Sequence, residues 1–127
     1  MRKAEDYKKG MDYIMPKYES NVRGGFDEFL HIMDDGILMG SASASFEDGS
    51  YYENSGVRCA VRVYERYSAM GSNRVSLSIT LIGNGDDLFV SAITAGGSQA
   101  MFFKINRIGE NSFLQKAIDI IEDYKRR

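Results

Sequence analysis

Between Val57 and Gly97 apolar and polar residues alternate in successive runs, and a period of two is the mark of β-strands, whose side chains point to opposite faces in turn. In the first run Cys59, Val61 and Val63 alternate with Arg58, Ala60, Arg62 and Tyr64. After a turn expected at Met70-Gly71-Ser72-Asn73, Val75, Leu77, Ile79 and Leu81 alternate with Arg74, Ser76, Ser78 and Thr80. Asn84-Gly85 predicts a two-residue hairpin of type I′, the loop that needs positive φ at both central residues. The third run, Leu88 to Ala95, is apolar on both faces, so it is expected inside the sheet or covered twice. The three together predict an antiparallel meander with Cys59, Val61 and Val63 turned to the core and the arginines turned outward.

On either side of the meander the period changes. After a short extended stretch, Lys17 to Val22, and a break at Gly24-Gly25, the residues Phe26, Phe29, Leu30, Met33 and Ile37 form one helical stripe. Asp27 and Glu28 suit the first turn of that helix, where carboxylates meet the positive end of its dipole, and Gly36 is expected to terminate it, giving a helix over about 26–36. Ser41 to Glu47 alternates again, with Asp48-Gly49-Ser50 expected as a turn and Tyr51 to Gly56 as a loop. Beyond Gly96-Gly97-Ser98, Ala100 to Ile105 reads as one more strand. The last segment predicts a long helix over about 111–126, capped by Asn111 or Ser112, with Phe113, Leu114, Ala117, Ile118, Ile121 and Tyr124 on its apolar face. The predicted fold is α+β: a single antiparallel sheet of 4–6 strands with both helices on one face.

That element order resembles the helix-grip arrangement of START-like and Bet v 1-like proteins, in which a curved antiparallel sheet wraps the last helix. A closer resemblance lies in Phe26-Asp27-Glu28-Phe29-Leu30, Gly36-Ile37-Leu38, Ser43-Ala44-Ser45, Val57 through Val63, and Thr94 through Ala100. These stretches resemble a family of short, uncharacterised bacterial proteins, from about residue 15 to 127. The resemblance implies a domain boundary and no activity. Residues 1–14 are polar and expected to be an extension, either disordered or the product of a misassigned start, ahead of one domain over 15–127.

Composition narrows the classes. At 127 residues, with 43% hydrophobic and 27% charged, one globular domain is expected to fold without disulfide or metal. A net charge of −2 and a pI near 5.4 provide no field to draw nucleic acid or an anionic membrane. No stretch approaches the roughly 18 apolar residues of a membrane span. Cys59 is the single cysteine, so no intrachain disulfide forms, and a reducing cytoplasm is the expected location.

No residues have the types and spacing that acid–base or nucleophilic catalysis requires, so the expectation leans away from an enzyme, with no cofactor and no metal. His31 has no second histidine to join it, and Cys59 is expected to pack as a small hydrophobe. Gly96-Gly97-Ser98-Gln99 lacks the lysine and following helix of a phosphate loop and reads as a strand break. The pairs Asp34-Asp35, Glu47-Asp48 and Asp86-Asp87 read as turn and surface acids, because adjacent residues point apart. Two surfaces remain. Met33, Phe89, Met101, Phe103, Ala117 and Ile121 are candidates to line an apolar cavity between sheet and final helix. Arg58, Arg62, Tyr64, Arg66 and Arg74 are candidates for a face that binds an anion or a partner, with Glu65 or Glu47 as the alternative source of compensating charge. The leading expectation is a non-enzymatic cytoplasmic module binding a small apolar ligand. The alternative is a homodimeric or partner-docking protein that uses the arginine face or an exposed sheet edge.

Overall fold

Five strands form one antiparallel sheet in the order β1-β5-β4-β3-β2, with two helices against one face, in a computed structural model that describes residues 17–41, 43–67, 74–96 and 113–127. The elements are β1 (Lys17–Arg23), α1 (Phe26–Met39), β2 (Ser45–Asn54), β3 (Val57–Tyr67), β4 (Arg74–Asn84), β5 (Asp87–Gly96) and α2 (Phe113–Lys125). The turn expected at 70–73, the strand at 100–105 and the helix cap at Asn111 or Ser112 lie outside the described residues. β5 lies between β1 and β4, as its two apolar faces led one to expect.

The core forms where three periodic patterns meet. Phe26, Phe29, Met33 and Ile37 on α1 and Phe113, Leu114, Ala117, Ile121 and Tyr124 on α2 are buried against Leu77, Ile79 and Leu81 of β4 and Val90 and Ala92 of β5. Phe29 and Tyr124 meet edge to face with ring centres 4.9 Å apart. The Tyr124 hydroxyl donates to Glu28 at 2.7 Å, tying the end of α2 to the start of α1.

The local structure departs from expectation at four places. Helix α1 runs through Gly36 to Met39, because Gly36 admits the other helix instead of ending its own: a Cβ there would lie 2.5 Å from Ile120 Cδ1. Strand β2 begins at Ser45, after a turn in which Ala44 N–H donates to Ser41 O, not at Ser41, and runs through Asp48-Gly49-Ser50 to Asn54, absorbing the irregularity as a register shift between Phe46 and Asp48. The β4–β5 loop is Gly85-Asp86, with positive φ at Gly85 (61°) and not at Asp86, the pattern of type II′. Both central residues have positive φ instead at Ser55 (52°) and Gly56 (83°), between β2 and β3.

The fourth departure is the sidedness of β3. Its register sets Ala60 opposite Leu81, Arg62 opposite Ile79 and Tyr64 opposite Leu77. Because those β4 residues face the helices, Arg58, Ala60, Arg62, Tyr64 and Arg66 do so too, and Cys59, Val61 and Val63 lie on the outer face. Arg74 also lies outside, on β4. The five candidate residues Arg58, Arg62, Tyr64, Arg66 and Arg74 therefore do not share a face.

Substitution at Gly36 separates a close helix contact from a helix end. Alanine would press only on the movable end of Ile120 while gaining up to about 1 kcal/mol of helix propensity, so the two effects nearly offset. Leucine has no such room, and Gly36→Leu is expected to destabilise by about 1–3 kcal/mol in denaturant unfolding. A Gly36→Leu protein as stable as the parent is the result that the close approach forbids.

Candidate functional site

Between α1 and β3 lies a polar layer built from two periodicities. Asp27 and Asp34 stand seven residues apart, about 10.5 Å along a helix, and Arg58 and Arg62 four apart, about 13.5 Å along a strand. Each arginine side chain can reach its own carboxylate. Arg62 donates from Nε and Nη2 to the two oxygens of Asp34, at 3.1 and 2.6 Å. Arg58 donates from Nη1 and Nη2 to the two oxygens of Asp27, at 3.2 and 2.7 Å. The Tyr64 hydroxyl donates to Asp34 as well. Aromatic rings back both guanidinium groups: Arg62 lies 4.1 Å from the centre of Phe46, and Arg58 4.2 Å from that of Phe26.

The electrostatics follow from these partners. Hydrogen bonding to Asp27 and then Tyr51 holds the Arg58 pKa above its ordinary value, and the same Arg58 contact lowers that of Asp27. Burial opposes the charge on Arg62, but its contacts with Tyr64 and Asp34 outweigh burial and leave its pKa raised. Burial first, and then donation to Asp34, pushes Tyr64 well above the usual tyrosine range. Burial lowers Arg66, whose guanidinium lies 4.8 Å from the Phe113 ring centre. Arg74, on the other face, pairs with Glu65. Asp35 points away from Asp34 and meets His31 Nε2 at 3.1 Å on the exposed side of α1.

Beside this layer the surface is open. Leu30, Phe46, Gly49, Tyr51, Ala60 and Arg62 line a depression of about 280 Å³. Its floor exists because Gly49, opposite Arg62, has no side chain, while Phe46 and Tyr51 stand on either side. Strand β2 has every one of its ten residues exposed, and among the described residues it pairs only with β3.

The outer face of the sheet has its own pattern. The registers align Tyr52, Cys59, Ile82 and Phe89 in one row across four strands. Val57, Val61 and Val63 flank that row along β3. Tyr52 and Ile82 are 65% and 39% exposed, and no described helix lies on this side. Antiparallel sheets covered on one side ordinarily turn polar residues to water on the other, so a run of Val, Cys and Val there is informative.

The residues expected to line an apolar cavity are divided. Met33, Ala117 and Ile121 are fully buried together between helices and sheet, Phe89 lies half-buried on the outer face, and Met101 and Phe103 are outside the described residues. Sequence reasoning passed over Asp27 and Asp34 as partners of the arginines. The i, i+7 spacing against an i, i+4 spacing on a strand was the available signal. No helix among the described residues is long and apolar enough to cross a membrane.

Residues 15–125 match the model of a family described as a family of unknown function (DUF6054), and the chain belongs to that family. No curated protein matches the chain.

Asp34 is the residue on which this layer turns. Asp34→Ala leaves Arg62 and Tyr64 facing the helix without their acceptor and is expected to cost about 1.5–3 kcal/mol in chemical unfolding, with Arg62→Met restoring part of the loss. Alkaline pH reads the Tyr64 hydroxyl. Its pKa is raised on folding, so its contribution is fully present below the unfolded value near pH 10 and is lost as pH rises through the folded one. Tyr18 and Tyr124 are raised too, through hydrogen bonds to Glu122 and Glu28. Tyr64→Phe is therefore expected to be less stable at neutral pH, yet to lose melting temperature more gently between about pH 9 and about pH 11. Parallel curves for parent and variant would contradict the assignment.

Proposed function

We propose that this chain is an interaction protein that pairs with a second copy of itself through the outer face of its sheet. The observation carrying this reading is the cross-strand row Tyr52–Cys59–Ile82–Phe89 on the side away from the helices. Area and charge favour a second copy as the occupant. Five strands about 4.8 Å apart and about ten residues long cover roughly 800 Å², close to the area each partner contributes to a standard interface. Most charges around the row occur as neighbours of opposite sign, Arg23 with Asp87, Arg74 with Glu65 and Lys17 with Glu19, and Asp48 opposite Val63 adds one carboxylate without an ion pair among the described residues. Two copies can therefore meet without net repulsion across the apolar row. Two sheets packed in this way would leave both helix layers outside. A guest between sheet and α2 has less support, because Met33, Ala117 and Ile121 are each fully enclosed by neighbouring side chains.

Sedimentation of the untagged full chain at several concentrations tests the proposal. A dimer is expected, and Ile82→Lys, at an exposed position, is expected to convert it to monomer without changing its circular dichroism. A parent that stays monomeric at all concentrations, or a dimer indifferent to Ile82→Lys, would overturn it.

A further inference from the structure

The edge of β2 away from β3 differs from the outer face in shape and in charge. Strand β2 presents ten consecutive exposed residues, and among the described residues nothing pairs with its second edge. At the opposite edge of the sheet α2 packs over the helix side of β1, with Tyr18 donating to Glu122 and Lys125 Nζ 2.9 Å from Ser20. A strand edge carries alternating N–H and C=O groups that another extended segment can satisfy. Phe46 and Tyr51, 40% and 52% exposed, stand on the helix side of this edge with the Gly49 depression between them. A strand added alongside would turn every second side chain toward that side, and the one opposite Gly49 would meet the opening.

Charge selects what can be added. β2 contains Glu47, Asp48 and Glu53 and no lysine or arginine. Their hydrogen bonds are local: Glu47 accepts from Ser45, Asp48 from the Gly49 N–H and Glu53 from Tyr51. Among the described residues none of the three forms an ion pair. A second copy of β2 would bring three more carboxylates against these, so self-pairing at this edge is disfavoured, whereas a cationic segment is attracted.

We propose that β2 is the docking edge for an extended cationic peptide segment of a partner, which adds as a further strand and seats an apolar side chain over Gly49. The backbone supplies the main-chain hydrogen bonds. The depression lined by Leu30, Phe46, Tyr51, Ala60 and Arg62, whose charge Asp34 already meets, takes an apolar side chain, and the carboxylates select lysine or arginine on either side of it.

Amide NMR shifts of the full chain, titrated with the peptide acetyl-Lys-Val-Lys-Leu-Lys-Val-Lys-amide, test this. Residues 45–54 are expected to shift and to gain protection from exchange, more strongly at low salt. The glutamate counterpart of the peptide is expected to leave them unmoved. The exposed charge reversals Glu47→Lys and Glu53→Lys together are expected to weaken binding by about tenfold or more. Shifts confined to the Ile82 and Phe89 face, equal binding of both peptides, unchanged affinity in the reversed protein, or no shift at millimolar peptide would each overturn the proposal. Ile82→Lys leaves this edge intact, so the titration can be run on it and its result does not depend on dimer formation.

Discussion

An arginine held between a helix and a sheet must have its charge met from within that layer, and the pairing of Arg62 with Asp34 is the constraint around which this fold is arranged. Both groups are about a quarter exposed, at 27% and 22%, so their desolvation is partial and still costly enough to require a partner. Such a pair adds little stability over well-packed apolar residues of the same volume. Its consequence is specificity. A one-residue slip of β3 against β4 would turn Arg58, Arg62 and Tyr64 outward and leave Asp34 facing valines. Two bidentate contacts and a tyrosine hydroxyl oppose that slip, so the charges select the register and the apolar residues supply the binding energy.

The sheet's division into unlike halves follows from this. Over β1, β5 and β4 the helices close on Val22, Val90, Leu77 and Ile79, an apolar core. Over β3 the layer becomes polar, with guanidinium groups stacked on Phe26 and Phe46, and β2 beyond it is exposed along its full length. Turning arginines inward on β3 also turns valines outward, because alternate residues of a strand cannot share a face. The polar layer on one side and the apolar row on the other are one feature seen from two directions.

This explains which parts of the structure were legible in the sequence. The stripe of α1, the alternation of β4 and the apolar face of α2 each have a single dominant reading, and they fold as it predicts. β3 has two half-apolar faces: Cys59, Val61 and Val63 compete with Ala60, Tyr64 and the aliphatic stems of the arginines. Local pattern favours the valines for the core, and only the distant carboxylates of Asp27 and Asp34 reverse the choice. Gly36 was misread for a related reason, since a glycine that ends a helix and one that admits another helix look alike until Ile120 is placed against it. Asp48-Gly49-Ser50 has the composition of a turn, yet the shift after Phe46 keeps it within β2. Met33, Ala117 and Ile121 were legible as buried, whereas Phe89 depended on the parity of its strand.

The two exposed surfaces are separated by electrostatics more than by position. The outer face surrounds its apolar row mostly with neighbours of opposite sign, a pattern compatible with its own copy. The β2 edge bears one sign only, and it is interrupted by a register shift near Glu47, so two such edges neither attract one another nor run flat together. Exposed strand edges invite indiscriminate pairing unless something discriminates. Here acidic side chains would make that discrimination without closing the edge, which among the described residues stays open to extended segments of opposite charge. A face proposed for self-association and an edge proposed for a cationic strand can thus coexist on one small sheet, because the charge that disfavours a second β2 is the charge that would attract a segment of opposite sign.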